Sequence, residues 1–454
     1  MEKKEFYNKL RYIALPITIQ SIFQAILSLI DEVMIGNLGS ASIAGVGLSI
    51  KYTSLFSVVM ATIVTVAGIL IAQYKGNDDA EGMSTSFYGN LYLILGIAAL
   101  FIVASMIFAE PIMGIYSDDP ATVHQAAIYL RMVAWGFIPQ ALVLMLSTLL
   151  RNLGGATYIM YASAISVATN TLGNYLFING IGFFPRMDIA GAALATCLSR
   201  VIELALVYAI YCKIRVESGF SLGFVTSFSK GFLKKIGTIL APILLSEFLW
   251  SLGDNVYAYI YGHLGTFACA AMTVTYPIQG LAIGALSGVA AASGIIVGES
   301  LGAQNEEKAY QDARSIMKLT ITVGIALSIL IAVVSHGYVL LFNVDAQVQQ
   351  QAIWILYAYC LVFCGKVTNM VLGGGILRSG GQTQYTMLIV IGATWLVGVP
   401  FGLISAYLFH WPIHLVYFAL SLEEYVRVAC KVRLFRSGKW MSNLTEEDNQ
   451  KACA

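Results

Sequence analysis

The chain has 454 residues, 58% of them hydrophobic and 11% charged, and its 26 Lys and Arg against 25 Asp and Glu leave a formal net charge of +1. A soluble surface needs about a quarter of its residues charged, so an ordinary soluble protein is excluded and an integral membrane protein is implied. So small a net charge gives no reason to expect a nucleic-acid partner.

Apolar runs of roughly 20 residues or more recur along the chain, each long enough to cross a ~30 Å hydrocarbon core as a helix. We expect an all-α integral membrane protein of twelve spans, centred near residues 25, 62, 97, 138, 169, 201, 249, 288, 325, 362, 396 and 422. The first apolar run is of full span length and lacks a small-residue cleavage site, so it reads as the first transmembrane helix and not as a leader. Lys3, Lys4, Lys9 and Arg11 precede it. Lys213, Arg215, Lys230, Lys234 and Lys235 fill the mid-chain loop. Lys308, Arg314, Lys318, Arg378, Lys431, Arg433, Arg436 and Lys439 continue the series, and the intervening loops are acidic or uncharged apart from Arg186. Positive-inside then puts both termini in the cytoplasm, in a multi-pass protein of the cytoplasmic (inner) membrane.

The first span contains a stretch that returns later. Pro16 to Gly39 and Pro242 to Gly265 both open on Pro-Ile and close on Gly-X-Leu-Gly, with an offset of 226 at each end. The second span ends Gly68-Ile-Leu-Ile-Ala-Gln73-Tyr-Lys-Gly76, and its counterpart ends Gly294-Ile-Ile-Val-Gly-Glu299-Ser-Leu-Gly302, again 226 later. Leu150-Arg151-Asn-Leu-Gly154-Gly155 in the fourth span answers Leu377-Arg378-Ser-Gly380-Gly381 in the tenth, where the offset is 227. The chain therefore reads as a duplication. An N-terminal six-helix lobe (1–214) and a C-terminal six-helix lobe (236–440) are joined by a cytoplasmic connector (215–235) and followed by a tail (441–454). Six spans per half relate the lobes by a pseudo-twofold axis along the membrane normal, with function expected between them.

An intramembrane carboxylate costs several kcal/mol unless paired, wetted or protonated, so the acids in these spans are the first candidates. Asp31 shares a helical face with Gln20, Gln24 and Leu27, while Glu32 points about 100° away. In the fifth span Asn170 and Asn174 lie one turn apart on one face, able to donate to a carboxylate and accept from a cation, and Thr196 of the sixth completes such a network. In the second lobe Glu247, Trp250 and Asp254 recur at spacings of three and four. Two acids and an indole on one stripe suit an organic cation. Asp31 stands fifteen residues past its proline and Glu247 five past its own, a difference in depth of roughly 15 Å. Gly154-Gly155 and Gly373-Gly374-Gly375 follow no strand and precede no Lys-Ser or Lys-Thr, so they read as sites of close helix approach or a bend and not as phosphate loops. With no ATPase motif and no catalytic constellation, no enzyme activity and no cofactor are expected, and transport would run on an ion gradient. The seven cysteines, Cys360 and Cys364 included, read as packing residues.

In their order and spacing, Asp31-Glu-Val-Met-Ile-Gly-Asn-Leu-Gly, Gly-X-X-X-X-Gln-X-X-Gly, Leu-Arg151-Asn-Leu-Gly-Gly, Gly191-Ala-Ala-Leu-Ala-Thr196 and Gly375-Ile-Leu-Arg378-Ser-Gly-Gly resemble the multidrug and toxic compound extrusion (MATE) transporters of bacteria over essentially the whole chain. The resemblance implies Na⁺- or H⁺-driven antiport of drug-like organic cations through a cleft between two lobes. Asp31 then matches the first-span coupling acid and the expected Na⁺ ligand, and Asn170 matches the fifth-span Asn of its network. Asn174 stands where one branch has Asp. Glu247 and Trp250 resemble a seventh-span pair of a bacterial subgroup. We assign cation coupling to Asp31, Asn170, Asn174 and Thr196, and substrate or a second cation to Gln20, Glu247, Trp250 and Asp254. The expected partners are small organic cations and the lipid bilayer, with the protein a monomer. The alternative is a lipid-linked oligosaccharide flippase of the wider superfamily, which would line its cleft with cations. The sequence offers only Arg131, Arg200 and Lys366 for that role, and Arg200 has Glu203 three residues on to pair with.

Overall fold

The computed structural model of the protein describes residues 2–35, 40–182, 184–342 and 344–445. The Glu32 side chain and the Gly36 to Gly39 exit lie outside the described residues. Among the described residues all regular structure is helical, as a chain that must satisfy its own backbone inside lipid requires. The first half holds α1 (Glu2–Ile35), α2 (Ser40–Gly76), α3 (Ala80–Ile107), α4 (Ala109–Gly114), α5 (Pro120–Val133), α6 (Phe137–Asn152), α7 (Ala156–Asn179) and α8 (Asp188–Ser218). The second holds α9 (Lys230–His263), α10 (Thr266–Gly302), α11 (Glu306–Val339), α12 (Ala346–Asn369), α13 (Thr383–Ala393), α14 (Val399–Leu403), α15 (Ile413–Ser421) and α16 (Glu423–Arg436). Wider π-helical turns continue α12 over Met370–Leu377, link α13 to α14 over Thr394–Gly398 and follow α14 over Ile404–Leu408.

Ten stretches among the described residues are long and apolar enough to cross a membrane. The expected fifth and twelfth spans are helical but fall short, the fifth on composition and the twelfth because it is divided into helices of 9 and 14 residues. α7 carries Ser163, Ser166, Asn170 and Asn174, while the last span is interrupted between α15 and α16 and continues with Glu423, Glu424, Arg427 and Lys431. With these two the twelve expected spans are all present as helices. The duplication shows in the element boundaries. α1 and α9 are both 34 residues long, α2 and α10 both 37. The starts of α2, α3 and α5 precede those of α10, α11 and α12 by 226, whereas α7 precedes α13 by 227.

The chain divides into two compact units. The first comprises Leu15–Lys75 and Asp79–Ile236. Lipid tails are as apolar as leucine, so its helices are held by close packing and by polar groups satisfied across helices. α7 runs along α8, and a Cβ on Gly173 would come within 2.9 Å of the Ala195 side chain, so the glycine sets that approach. Phe56 of α2 stacks on Phe137 of α6 at 4.2 Å, and Ser49 Oγ donates to the Ala126 carbonyl at 2.9 Å. Helix enters the expected connector from both sides, since α8 runs through Ser218 and α9 starts at Lys230. The non-helical residues between them pack on α3, where Tyr92 Oη donates to the Val225 carbonyl at 3.1 Å and Gly223 N donates to Ser84 Oγ at 3.1 Å.

The second unit comprises Met1–Ala14, Gly76–Asp78 and Gly237–Ala454. Gln279 of α10 organises part of its interior. Its side-chain oxygen accepts from Tyr417 Oη and its carbonyl from Tyr359 Oη, both at 3.1 Å. Lys9 of α1 pairs with Glu299 near the end of α10. After α16 the chain turns back, burying Trp440 fully against Phe435.

Two cations that charge counting puts in cytoplasmic loops stand elsewhere. The Arg378 side chain is 16% exposed and Lys431 sits 4% exposed within α16. Each has a polar partner on another helix, Glu247 for Arg378 and the Asn369 carbonyl for Lys431, and such partners are invisible to a count of charges along the sequence.

Gly398 closes the π turn after α13. A Cβ there would stand 2.0 Å from Tyr257 Oη and 2.8 Å from Glu423 Oε2. Gly398→Ala is therefore expected to lower stability by about 1–3 kcal/mol through overpacking. Thermal unfolding in detergent measures this, and an unchanged transition would mean that α9 and α16 yield more readily than their packing implies.

Candidate functional site

In the first unit the first-span acid is held by the fifth-span amides. Asn174 Nδ2 donates to Asp31 Oδ1 at 2.6 Å and to Asn170 Oδ1 at 3.1 Å, and Asn170 Nδ2 donates to Thr196 Oγ1 at 3.2 Å. Both amides are 1% exposed, and Asn174 Oδ1 is buried with no hydrogen-bond partner. Local sequence explains the placement. The Asn170 and Asn174 side chains project from one face of α7 a turn apart, and Thr196 anchors itself by donating to the Ala192 carbonyl at 3.1 Å. Gln24, Leu27 and Asp31, three members of the α1 stripe, line a cavity of about 160 Å³ together with Asn170, Thr196 and residues of α7 and α8.

The other wall of that cavity is ionic. Glu203, 2% exposed, accepts from Arg200 Nη1 at 2.8 Å, Ser163 Oγ at 2.9 Å and Ser166 Oγ at 3.2 Å. Gln20, the fourth member of the stripe, lies behind this wall. Its Nε2 donates to Ser163 Oγ at 2.6 Å, and its Oε1 accepts from Arg151 Nη2 at 2.7 Å. A chain of polar groups thus runs from Arg151 through Gln20 and Ser163 to Glu203 and Arg200. The cavity is lined by one acid that accepts from the Asn174 amide and by a second that is paired with a guanidinium.

In the second unit, Glu247 of α9 accepts from Arg378 Nη2 at 2.8 Å, with side-chain exposures of 35% for the acid and 16% for the base. Trp250 and Asp254 follow on the same stripe and are exposed. Asp254 is within electrostatic reach of Tyr261, Tyr276 and Tyr417. Further inside lies a cluster built on α16. Arg427 pairs with Glu423 at 3.1 Å and Glu424 at 3.4 Å and donates to Thr394 Oγ1 at 2.5 Å. Glu424 also accepts from Asn369 Nδ2 at 2.8 Å and faces Lys366 Nζ at 3.8 Å. Lys431 donates to the Asn369 carbonyl at 3.4 Å, and a Cβ on Gly373 would stand 2.4 Å from its Nζ, so the glycine makes room for the amine.

Of the cations singled out from sequence, Arg200 pairs with Glu203, Lys366 faces Glu424, and Arg131 pairs with Glu110 at 3.5 Å. Sequence reading missed Ser163, Ser166, Glu203 and Arg151 as parts of the first site and the α16 cluster as a whole. A signal was present for both. Ser163, Ser166, Asn170 and Asn174 follow spacings of three, four and four, one continuous face of a helix. Glu423, Arg427 and Lys431 are each four apart. Among the described residues no group of three His, Cys, Asp or Glu is placed to hold a metal.

The MatE family model matches residues 16–176 and 242–404, once in each half. The uncharacterized transporter YisQ of Bacillus subtilis (strain 168) is 24% identical, covering 94% of this chain and 93% of its own. A probable multidrug resistance protein NorM of Halalkalibacterium halodurans is also 24% identical, covering 87% of this chain and 86% of its own. Among solved structures, an outward-facing multidrug resistance MATE family transporter of the MOP superfamily superposes with a TM-score of 0.86 at 20% identity, over 95% of this chain and 96% of that one.

Glu203→Gln keeps the shape but removes the charge that neutralises Arg200. Leaving a buried donor or acceptor without its partner costs about 1–3 kcal/mol, so the variant should unfold earlier on heating in detergent. A double change with Arg200→Gln should recover part of the loss. If the single variant melts like the parent, Glu203 is not the anchor of this wall.

Proposed function

Since this chain belongs to the MatE family and is a membrane transporter, not an enzyme, we propose that it is a cation-coupled antiporter exporting drug-like organic cations across the cytoplasmic membrane. The observation that carries the coupling half is the Asp31–Asn174–Asn170–Thr196 chain, with its buried, unpartnered Asn174 oxygen beside an acid that lines a cavity. A carboxylate that accepts from a neutral amide can take up a cation or a proton and so change its charge state. With Asn174 Oδ1 and Thr196 Oγ1 it offers the hard oxygen set that Na⁺ takes, or a carboxylate that takes a proton. The alternation of charged and neutralised Asp31 couples the ion gradient to cargo. Moving one charge through 100 mV supplies ~2.3 kcal/mol, roughly fiftyfold in concentration.

The cargo half is supported by relatives that are named multidrug resistance proteins. It is supported too by the Glu247–Trp250–Asp254 stripe, with Glu247 half-buried and the other two exposed, where an indole beside carboxylates favours a soft cation. In this reading the N-terminal lobe (1–214) couples the ion and the C-terminal lobe (236–440) engages cargo or a second ion. The connector (215–235) and both termini face the cytoplasm, and the protein works as a monomer.

Asp31→Asn should leave the protein folded and abolish gradient-driven uptake of a fluorescent cation into proteoliposomes, with Na⁺ and pH gradients imposed separately to identify the ion. Normal pumping would reduce Asp31 to a structural hydrogen-bonder. Without cargo, ion binding should vanish in Asp31→Asn and survive in Glu247→Gln/Asp254→Asn; the reverse pattern would exchange the roles of the two lobes.

A further inference from the structure

The two halves contain the same contact in different chemical form. In the first unit Arg151 reaches Gln20 at 2.7 Å, and in the second Arg378 reaches Glu247 at 2.8 Å. The partners are 131 residues apart in both cases. In both the guanidinium Nε is buried with no hydrogen-bond partner. Each arginine is thus held to its span through one terminal nitrogen, although a guanidinium facing a carboxylate can form two parallel bonds. Glu247 has an open second side. Its side chain is 35% exposed, and exposed Trp250 follows on the same face.

Gln20 offers Arg151 a neutral acceptor, and the acid whose charge acts on Arg151, Glu203, is paired with Arg200 instead. In the second unit the acceptor is itself the acid on the stripe assigned to cargo. A cation arriving at Glu247 meets a carboxylate already neutralised by a positive charge belonging to the protein. From this we infer that Arg378 is a built-in competitor for Glu247. Its guanidinium occupies the carboxylate when no cargo is present, and an organic cation takes that carboxylate in its place. Arg378 therefore sets how tightly the second unit holds cations. When displaced it retains a positive charge near Lys431, which opposes the exchange and keeps binding weak enough for release. Glu247 and Arg378 both act electrostatically on Lys431, so the exchange is felt inside the α16 cluster.

This inference rests on the reading of the chain as a carrier of organic cations, and one binding experiment separates the two. Tetraphenylphosphonium binding to the purified full chain in detergent, by calorimetry at fixed salt, is compared across variants. Arg378→Gln should bind about tenfold more tightly than the parent, a change of 1.4 kcal/mol. Arg378→Lys, which keeps the charge but loses the planar fork, should show a smaller gain. Adding Glu247→Gln to Arg378→Gln should erase the gain. A merely structural arginine would give weaker binding or none on removal, never tighter. If the parent binds and neither arginine variant binds more tightly, the competitor role is wrong and the cation reading stands. If the parent binds no tetraphenylphosphonium, both fall. Should Arg378→Gln fail to fold, the Arg378→Lys comparison decides alone.

Discussion

Charge inside an apolar helical protein must be matched by the protein itself, and much of this structure follows from how that is done. Removing one member of a buried ion pair costs about 3–5 kcal/mol, so each buried acid or base fixes the position of the helix that answers it. Glu203 ties α8 to α7 through two serines. Glu424 and Arg427 tie α16 to α12 and to the turn after α13 through Asn369 and Thr394. Asp31 accepts from the Asn174 amide and so ties α1 to α7.

The two units apply the same rule with different investments. In the first, the ionic part is compact and sits on one wall of a cavity whose other wall is neutral and polar. In the second, two acids and three bases gather on and around α16, with Glu247 and Arg378 towards the edge. A duplication that began with two equal halves has kept its helical frame and diverged in where it places charge.

Much of the frame was legible in the sequence, because span length, hydropathy and the 226-residue repeat are properties of a single chain read in order. Asn170 and Asn174 could be paired from their spacing on one helix face, with Thr196 as a further candidate, and their grouping with Asp31 came from the family resemblance. What could not be read is the pairing across spans. Arg151 and Arg378 look like cations at helix ends until Gln20 and Glu247 are seen opposite them. Lys431 belongs by composition to a basic cytoplasmic run and by structure to the interior, because Gly373 leaves room for it. The twelfth span was expected from its apolar first part, yet its second part is held by ion pairs that hydropathy counts only as a penalty.

The π-helical turns over Met370–Leu377 have an evolutionary consequence. Through the start of α12 the second half follows the first at 226 residues, and from Arg378 and the start of α13 it follows at 227. The one-residue difference between the halves thus falls in the interval that holds the π-helical turns, a wider form of helix that accommodates an extra residue without breaking. Arg378 then meets the position one step beyond the residue aligned with Gln20, and that position is a glutamate. A single codon gained in one half thus offers a route by which a neutral tie became an ionic one, giving natural selection a charge to tune in one lobe while the other kept its original contact.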